Sequence, residues 1–140
     1  MASGIVVSDD AQELWESFKL KRSQYKFLAL KIADHEVVFD YGLPKSATYE
    51  EFCSTVLEKH ENEPRYLLLD FDYRTHDGRD TDKIVCVTWN PDSGRIREKM
   101  KYSSTKSAIT SSFQGISTTI NATDAADLDH DHVLSVLTSI

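Results

Sequence analysis

Two carboxylates in "LDFDY", Asp70 and Asp72, stand two residues apart on what reads as a β-strand. That spacing points both to one face. A pair of this kind can share acid–base work, one carboxyl donating a proton while the other accepts one. No histidine or nucleophile pattern accompanies them, so the competing reading is the polar face of a half-buried strand. A second cluster, "DLDHDH", brings Asp127, Asp129, His130, Asp131 and His132 together. A calcium loop starting at Asp127 needs glycine at its sixth position and glutamate at its twelfth. Those places hold His132 and Thr138, so that reading fails. Zinc held by His130, His132 and a carboxylate is conceivable. Acidic residues complementing the dipole of a helix N-terminus explain the run more simply. No glycine-rich phosphate loop, C-x-x-C, H-E-x-x-H or G-x-S-x-G is present. Nothing assembles a complete catalytic or metal site, and no cofactor is implied.

The remaining chemistry is charge. The chain carries 16 basic and 23 acidic side chains, a net charge of −7 and a sequence pI near 5.1. That balance argues against a nucleic-acid binder, which needs a broad basic face. Yet "RIREKMKYSSTK", Arg95 to Lys106, gathers Arg95, Arg97, Lys99, Lys101 and Lys106 against the single Glu98. On a helix, Ile96 and Met100 share one face, four residues apart, while Arg97/Lys101 and Arg95/Lys99 line its flanks. An amphipathic helix ordinarily turns its apolar stripe inward. Two features weigh against that here. Like charges at i, i+4 weaken an isolated helix, and methionine suits adaptable binding surfaces. The pattern fits a helix docking into an apolar cleft on an acidic partner.

Elements able to position this segment follow from periodicity. "SDDAQELWESFKL" places Ala11, Leu14, Trp15 and Phe18 on one helical face, with Ser8 and the two aspartates at its start. "YKFLALKIAD" and "EVVFDY" read as a strand pair, and "GLPKSA" as a loop broken by Gly42 and Pro44. "TYEEFCSTVLEKH" opens with Thr48 and Glu51 in a capping box. "RYLLLDFDY" and "DKIVCVTW" are strands joined through a polar loop with the turn signal Asp77-Gly78. Asp92 or Ser93 is expected to cap the basic helix, the serine pair Ser103-Ser104 to bend it, and Gly115 to close it. "ISTTINA" adds a strand, and "DAADLDHDHVLSVLTSI" a last helix. The predicted order, α β β α β β α β α, is a mixed α/β fold with helices flanking a five-stranded sheet. A chain of 140 residues suits one domain, 1–140. It has no 18-residue apolar run and no secretory leader pattern, so a cytoplasmic protein without a membrane span is expected; a monomer is expected as well. Cys53 and Cys86 lie within apolar patterns and read as reduced core thiols.

The segment "WNPDSGRIREKMKYSSTKSAI" resembles the long-helix signature of actin-depolymerising factor (ADF)/cofilin proteins. The likeness extends over the whole chain, through "MASGI", "YKF" at 25–27, "ATYEEF" at 47–52, "RYLLLDFDY", "DKIVCVTW" and "NATDAADL". It implies the ADF-homology fold, a central five-stranded mixed sheet sandwiched between helices. It also implies a non-enzymatic regulator that binds monomeric actin, preferring the ADP form, and depolymerises or severs filaments. By position, Ile96, Arg97, Lys99, Met100, Ser104 and Lys106 fall on the family's monomer-binding helix, and Ser3 and Gly4 on the N-terminal segment that also touches actin. Family members with this serine are often inactivated by phosphorylation there, as Ser3 would be, and the basic surface also takes phosphoinositide headgroups.

The departures are specific. Filament contact in the family uses basic residues in the projecting hairpin, late in the long helix and in the last helix. Here Asp80, Thr81 and Asp82 precede Lys83, Thr110 and Ser111 replace a common basic pair, and no charge follows His132. Lys83 remains, and Arg79, with Arg74, could compensate. Intact monomer binding with weakened filament binding is therefore expected. An ADF-fold interaction module that does not bind actin is the alternative, and a small hydrolase built on Asp70/Asp72 ranks below both.

Overall fold

The structure is a computed structural model and describes residues 4–138. Six strands form one sheet in the order β1-β3-β2-β4-β5-β6. They are β1 (Val6–Val7), β2 (Tyr25–Ala33), β3 (Glu36–Pro44), β4 (Arg65–Arg74), β5 (Asp80–Trp89) and β6 (Thr118–Ala122). The central pairs are antiparallel, while β1 on β3 and β6 on β5 run parallel at the two edges. The helices are α1 (Asp9–Lys19), α2 (Tyr49–Lys59), α3 (Ile96–Ser104), α4 (Lys106–Ser112), α5 (Ala125–Leu128) and α6 (His130–Thr138).

Both faces of the sheet are covered. On one, Trp15 and Phe18 of α1 meet Tyr102, Ile109 and Phe113 above Leu28, Leu30, Tyr66 and Leu68. On the other, Phe52 and Val56 of α2 join Leu128 and Val133 over Phe27, Ala29, Leu67, Leu69 and Val87. Burial on both sides explains why "YLLL" is a continuous apolar run, because alternate residues feed different cores. Ser8 caps α1 by accepting from the Ala11 amide at 3.1 Å, and Thr48 and Glu51 form the predicted capping box of α2. Each such cap contributes about 1 kcal/mol.

Several expectations need correction. The sheet has six strands, not five, because the two-residue β1 is too short to show a period. β3 runs on to Pro44 through the predicted loop. Gly42 there is no breaker: a Cβ would lie 2.4 Å from the Tyr25 ring, so the glycine lets an aromatic ring cross the strand. The long basic helix starts at Ile96, and neither Asp92 nor Ser93 caps it; the Ser93 hydroxyl donates to the Glu61 carbonyl instead. Its break does fall where expected, at Thr105 directly after the serine pair, and the helix resumes at Lys106. Phe113, not Gly115, ends the helical run. The last helix divides at Asp129 into α5 and α6.

Candidate functional site

The orientation of α3 is set from its C-terminal end. Tyr102 is buried; its hydroxyl accepts from the Ile32 amide at 2.9 Å, and its carbonyl accepts from the Tyr66 hydroxyl at 2.5 Å. Ile109 and Phe113 continue that buried line along α4. With Tyr102 facing the sheet, Ile96 and Met100 must face away, and they are 73 % and 66 % exposed. Inward packing of this pair is thereby excluded. Ile96 and Met100 form an outward apolar ridge, the most exposed large hydrophobic residues described.

The kink has a local cause. The Thr105 and Ser104 hydroxyls both donate back to the Lys101 carbonyl, at 2.8 and 3.2 Å, competing with the helix's own amide ladder. Thr105 is wholly buried, so the bend is fixed by packing on the sheet. Ahead of α3, the Trp89 indole donates to the His60 carbonyl at 2.8 Å, and the Asn90 amide group donates to the Lys99 carbonyl at 3.0 Å. Gly94 lies against the Asn62 carbonyl, where a Cβ would approach to 3.2 Å. The turn after α2 is therefore the seat of the first turn of α3.

The cations divide into braced and free groups. The Lys99 ammonium reaches the Asp92 carbonyl at 3.4 Å and its carboxylate at 4.0 Å. Lys101 pairs with Glu98 at 3.1 Å, and Lys106 donates to Asn121 on β6 at 3.0 Å. Arg95 and Arg97 are exposed and have no ion-pair partner among the described residues. Gly4 is exposed with φ +76°, and the next residue, Ile5, is buried in the same core as Ile109 of α4. Ile5 and β1 thus lie against α4, the continuation of α3 beyond the kink. Ser3 lies outside the described residues.

At the far end of the sheet, the β4–β5 hairpin balances Asp77, Asp80 and Asp82 against Arg74, Arg79 and Lys83. Arg79 pairs with Asp77 at 3.1 Å and Arg74 with Asp80 at 3.0 Å, while Lys83 is exposed. The expected compensation by arginine is therefore largely neutralised within the loop. Asp70, Asp72 and Asp82 converge, their oxygens within 4.8 Å of one another. Lysine ammonium groups already occupy this cluster: Lys21 lies 2.5 Å from Asp70 and 3.3 Å from Asp82, and Lys26 pairs with Asp72. The carboxylate pair singled out in the sequence is an ion-pair network bracing the turn after α1 on the sheet. Among the described residues this is the one converging group of three metal-capable side chains, so His130 and His132 belong to none. The His130 ring packs on Phe71 and Tyr49, and Asp124 and Asp127 hold their own turn by accepting backbone amides. Burial pushes the Cys53 thiol up to about 11 and the fully buried Cys86 to about 12, which disfavours the thiolate at both.

One titratable group that sequence reasoning did not single out is His60. Its ring is 3 % exposed; Nε2 bonds the Tyr41 hydroxyl at 2.8 Å, and Nδ1 lacks a hydrogen-bond partner, with Glu63 at 3.6 Å. Burial first, and then the neighbouring Arg65 guanidinium, hold its pKa below 6.5. Nothing in the sequence pattern distinguishes it from a solvated helix-end histidine.

Residues 4–138 match the profile of cofilin/tropomyosin-type actin-binding proteins. The chain is 36 % identical to actophorin of Entamoeba histolytica, across 99 % of this chain and 98 % of that protein. It is 37 % identical to actophorin of Acanthamoeba castellanii, across 94 % and 93 %, and 33 % identical to actin-depolymerizing factor 7 of Arabidopsis thaliana, across 96 % and 95 %. Among solved structures, the Streptomyces griseoflavus cofilin superposes with a TM-score of 0.84 at 26 % identity, covering 96 % of this chain and 97 % of that one. The Trypanosoma brucei ADF/cofilin gives 0.76 at 32 % identity, covering 98 % of each. The chain belongs to the ADF/cofilin family, whose members are actin-binding regulators and not enzymes.

Proposed function

We propose that this protein, acting as a single domain over 1–140, binds monomeric actin through α3 and α4 and promotes filament depolymerisation. The observation that carries this reading is the outward Ile96–Met100 ridge beside an unpaired Arg97, on a helix that Tyr102 and the Thr105 kink hold rigid. An apolar stripe about two-thirds exposed leaves about 1–2 kcal/mol per large side chain to be recovered on docking. The adjacent cations favour an acidic partner and speed encounter with it. Lys99, Ser104 and Lys106 share the surface, and Gly4 extends it toward the N-terminal segment.

Preference for ADP-actin, a cytoplasmic setting on the actin cytoskeleton, a monomeric state and competition by phosphoinositide headgroups rest on the family resemblance. No described helix is long and apolar enough to cross a membrane. Phosphorylation of Ser3 would add about two negative charges to a chain that meets an acidic partner, and so oppose binding. Filament binding and severing are the weaker activities, because Arg74 and Arg79 are paired with Asp80 and Asp77 within the hairpin, which leaves Lys83 as its remaining cation without an ion pair among the described residues.

The test is the double charge reversal Arg97→Glu with Lys99→Glu, read by monomeric-actin affinity and thermal unfolding together. Loss of affinity by at least about thirtyfold, or about 2 kcal/mol, with an unchanged Tm is expected. An unchanged affinity would place the docking surface away from α3, and no binding by the parent chain itself would favour the alternative, an ADF-fold interaction module that does not bind actin.

A further inference from the structure

A groove of about 750 Å³ opens beside the ridge, between the turn after α2 and the first turn of α3. Asn62, Glu63 and Arg65 line one wall, and Arg95, Arg97 and Glu98 the other. Arg65 is committed to Asp40 at 3.0 Å and Glu63 at 3.5 Å. Arg95 and Arg97, on the opposite wall, have no ion-pair partner among the described residues. The groove therefore presents two open guanidinium groups at one side of a site that also holds carboxylates, in a chain whose net charge is −7.

We infer that this groove is a second contact area for actin, taking an acidic segment of the same subunit on which the ridge docks, with Arg95 a specificity-determining residue beside Arg97. The inference rests on the actin reading above. Guanidinium forks pair with carboxylates in two-point geometry, so two of them in series suit successive acidic side chains on a peptide. Glu63 and Glu98 select among anions. They repel a compact polyphosphate headgroup, yet can accept N–H bonds from a peptide backbone that alternates donors with carboxylates. A volume of about 750 Å³ also exceeds what one side chain fills, and matches a short stretch of chain. The seat is rigid, because the Ser93 hydroxyl to the Glu61 carbonyl, at 3.0 Å, and the Gly94–Asn62 approach hold the two walls together.

The experiment compares the full chain with Arg95→Glu, Arg95→Ala and Met100→Ala, each titrated against monomeric actin at about 50 and about 200 mM salt, with Tm as a folding control. Vesicles containing phosphatidylinositol 4,5-bisphosphate are titrated in parallel. Arg95→Glu is expected to lower actin affinity at least about tenfold at low salt, mainly through slower association, with Arg95→Ala intermediate. The salt dependence of binding should flatten and Tm should hold. If Met100→Ala weakens binding but Arg95→Glu does not, the groove is no actin contact and the inference is overturned while the ridge reading stands. If Arg95→Glu weakens only vesicle binding, the groove is a lipid site and the inference is likewise overturned. If no variant changes actin affinity, the actin reading fails and takes the groove with it.

Discussion

Truncating Met100 separates docking from folding. The side chain is 66 % exposed, so only about a third of it supports the free fold. Full burial of a methionine is worth about 1.5–3 kcal/mol relative to exposure. The exposed two-thirds can therefore contribute about 1–2 kcal/mol when a partner covers it, or about five- to thirtyfold in Kd. The buried third limits the stability loss to about 1 kcal/mol or less, a Tm shift of no more than about 3–5 °C. Met100→Ala should be titrated against monomeric actin bearing an environment-sensitive fluorophore, and melted by circular dichroism in the same buffer. A five- to thirtyfold weaker Kd with a small Tm change is expected. A Tm loss well beyond that limit with an unchanged Kd would refute the reasoning, because Met100 would then serve the fold rather than an interface.

Two further outcomes follow from the same geometry. His60 is held neutral by burial and by Arg65 from β4, against the opposing pull of Glu63 in its own turn and Asp40 on β3, with Tyr41 on its Nε2. Its folded pKa lies below the ordinary 6.5, so the unfolded chain binds more protons just below that value. The group's stability contribution is full above about pH 6.5 and is lost as pH falls through it toward the folded pKa, at no more than about 1.4 kcal/mol per pH unit; urea melts of His60→Gln between pH 5 and 7 should show a flatter slope than the parent. Replacing Asp80 and Asp82 with lysine removes two carboxylates from the hairpin and adds two cations, and should raise co-pelleting with filamentous actin severalfold while leaving monomer affinity within about twofold.

Periodicity made most of this fold legible. The strong helical spacing of Trp15 and Phe18, and the Thr48–Glu51 box, located α1 and α2 within a residue or two. Failures occurred where tertiary contacts override local signals. Gly42 reads as a breaker in sequence, but in the folded chain it makes room for Tyr25. Val6–Val7 pairs only because β3 offers a free edge, which no local pattern reveals. The site was legible in part. Spacing put Ile96 and Met100 on one face but could not say whether that face looked inward; the hydrogen bonds at Tyr102 decide it. Nor could composition distinguish Lys99 and Lys106, each braced by a neighbour, from Arg95 and Arg97, which are not. The Asp70–Asp72 pair looked most like chemistry, and it proved to be occupied by lysines arriving from the segments just after α1.

The α3 ridge is proposed to dock on actin, while the internally paired arginines of the β4–β5 hairpin limit hold on filaments. High-speed pelleting of polymerised actin with and without the protein tests both halves at once. Actin in the supernatant is expected to rise, with the protein remaining there beside it. Protein that pellets stoichiometrically with filaments would contradict the weak filament site. An unchanged supernatant, with no binding to monomers, would contradict the docking surface itself.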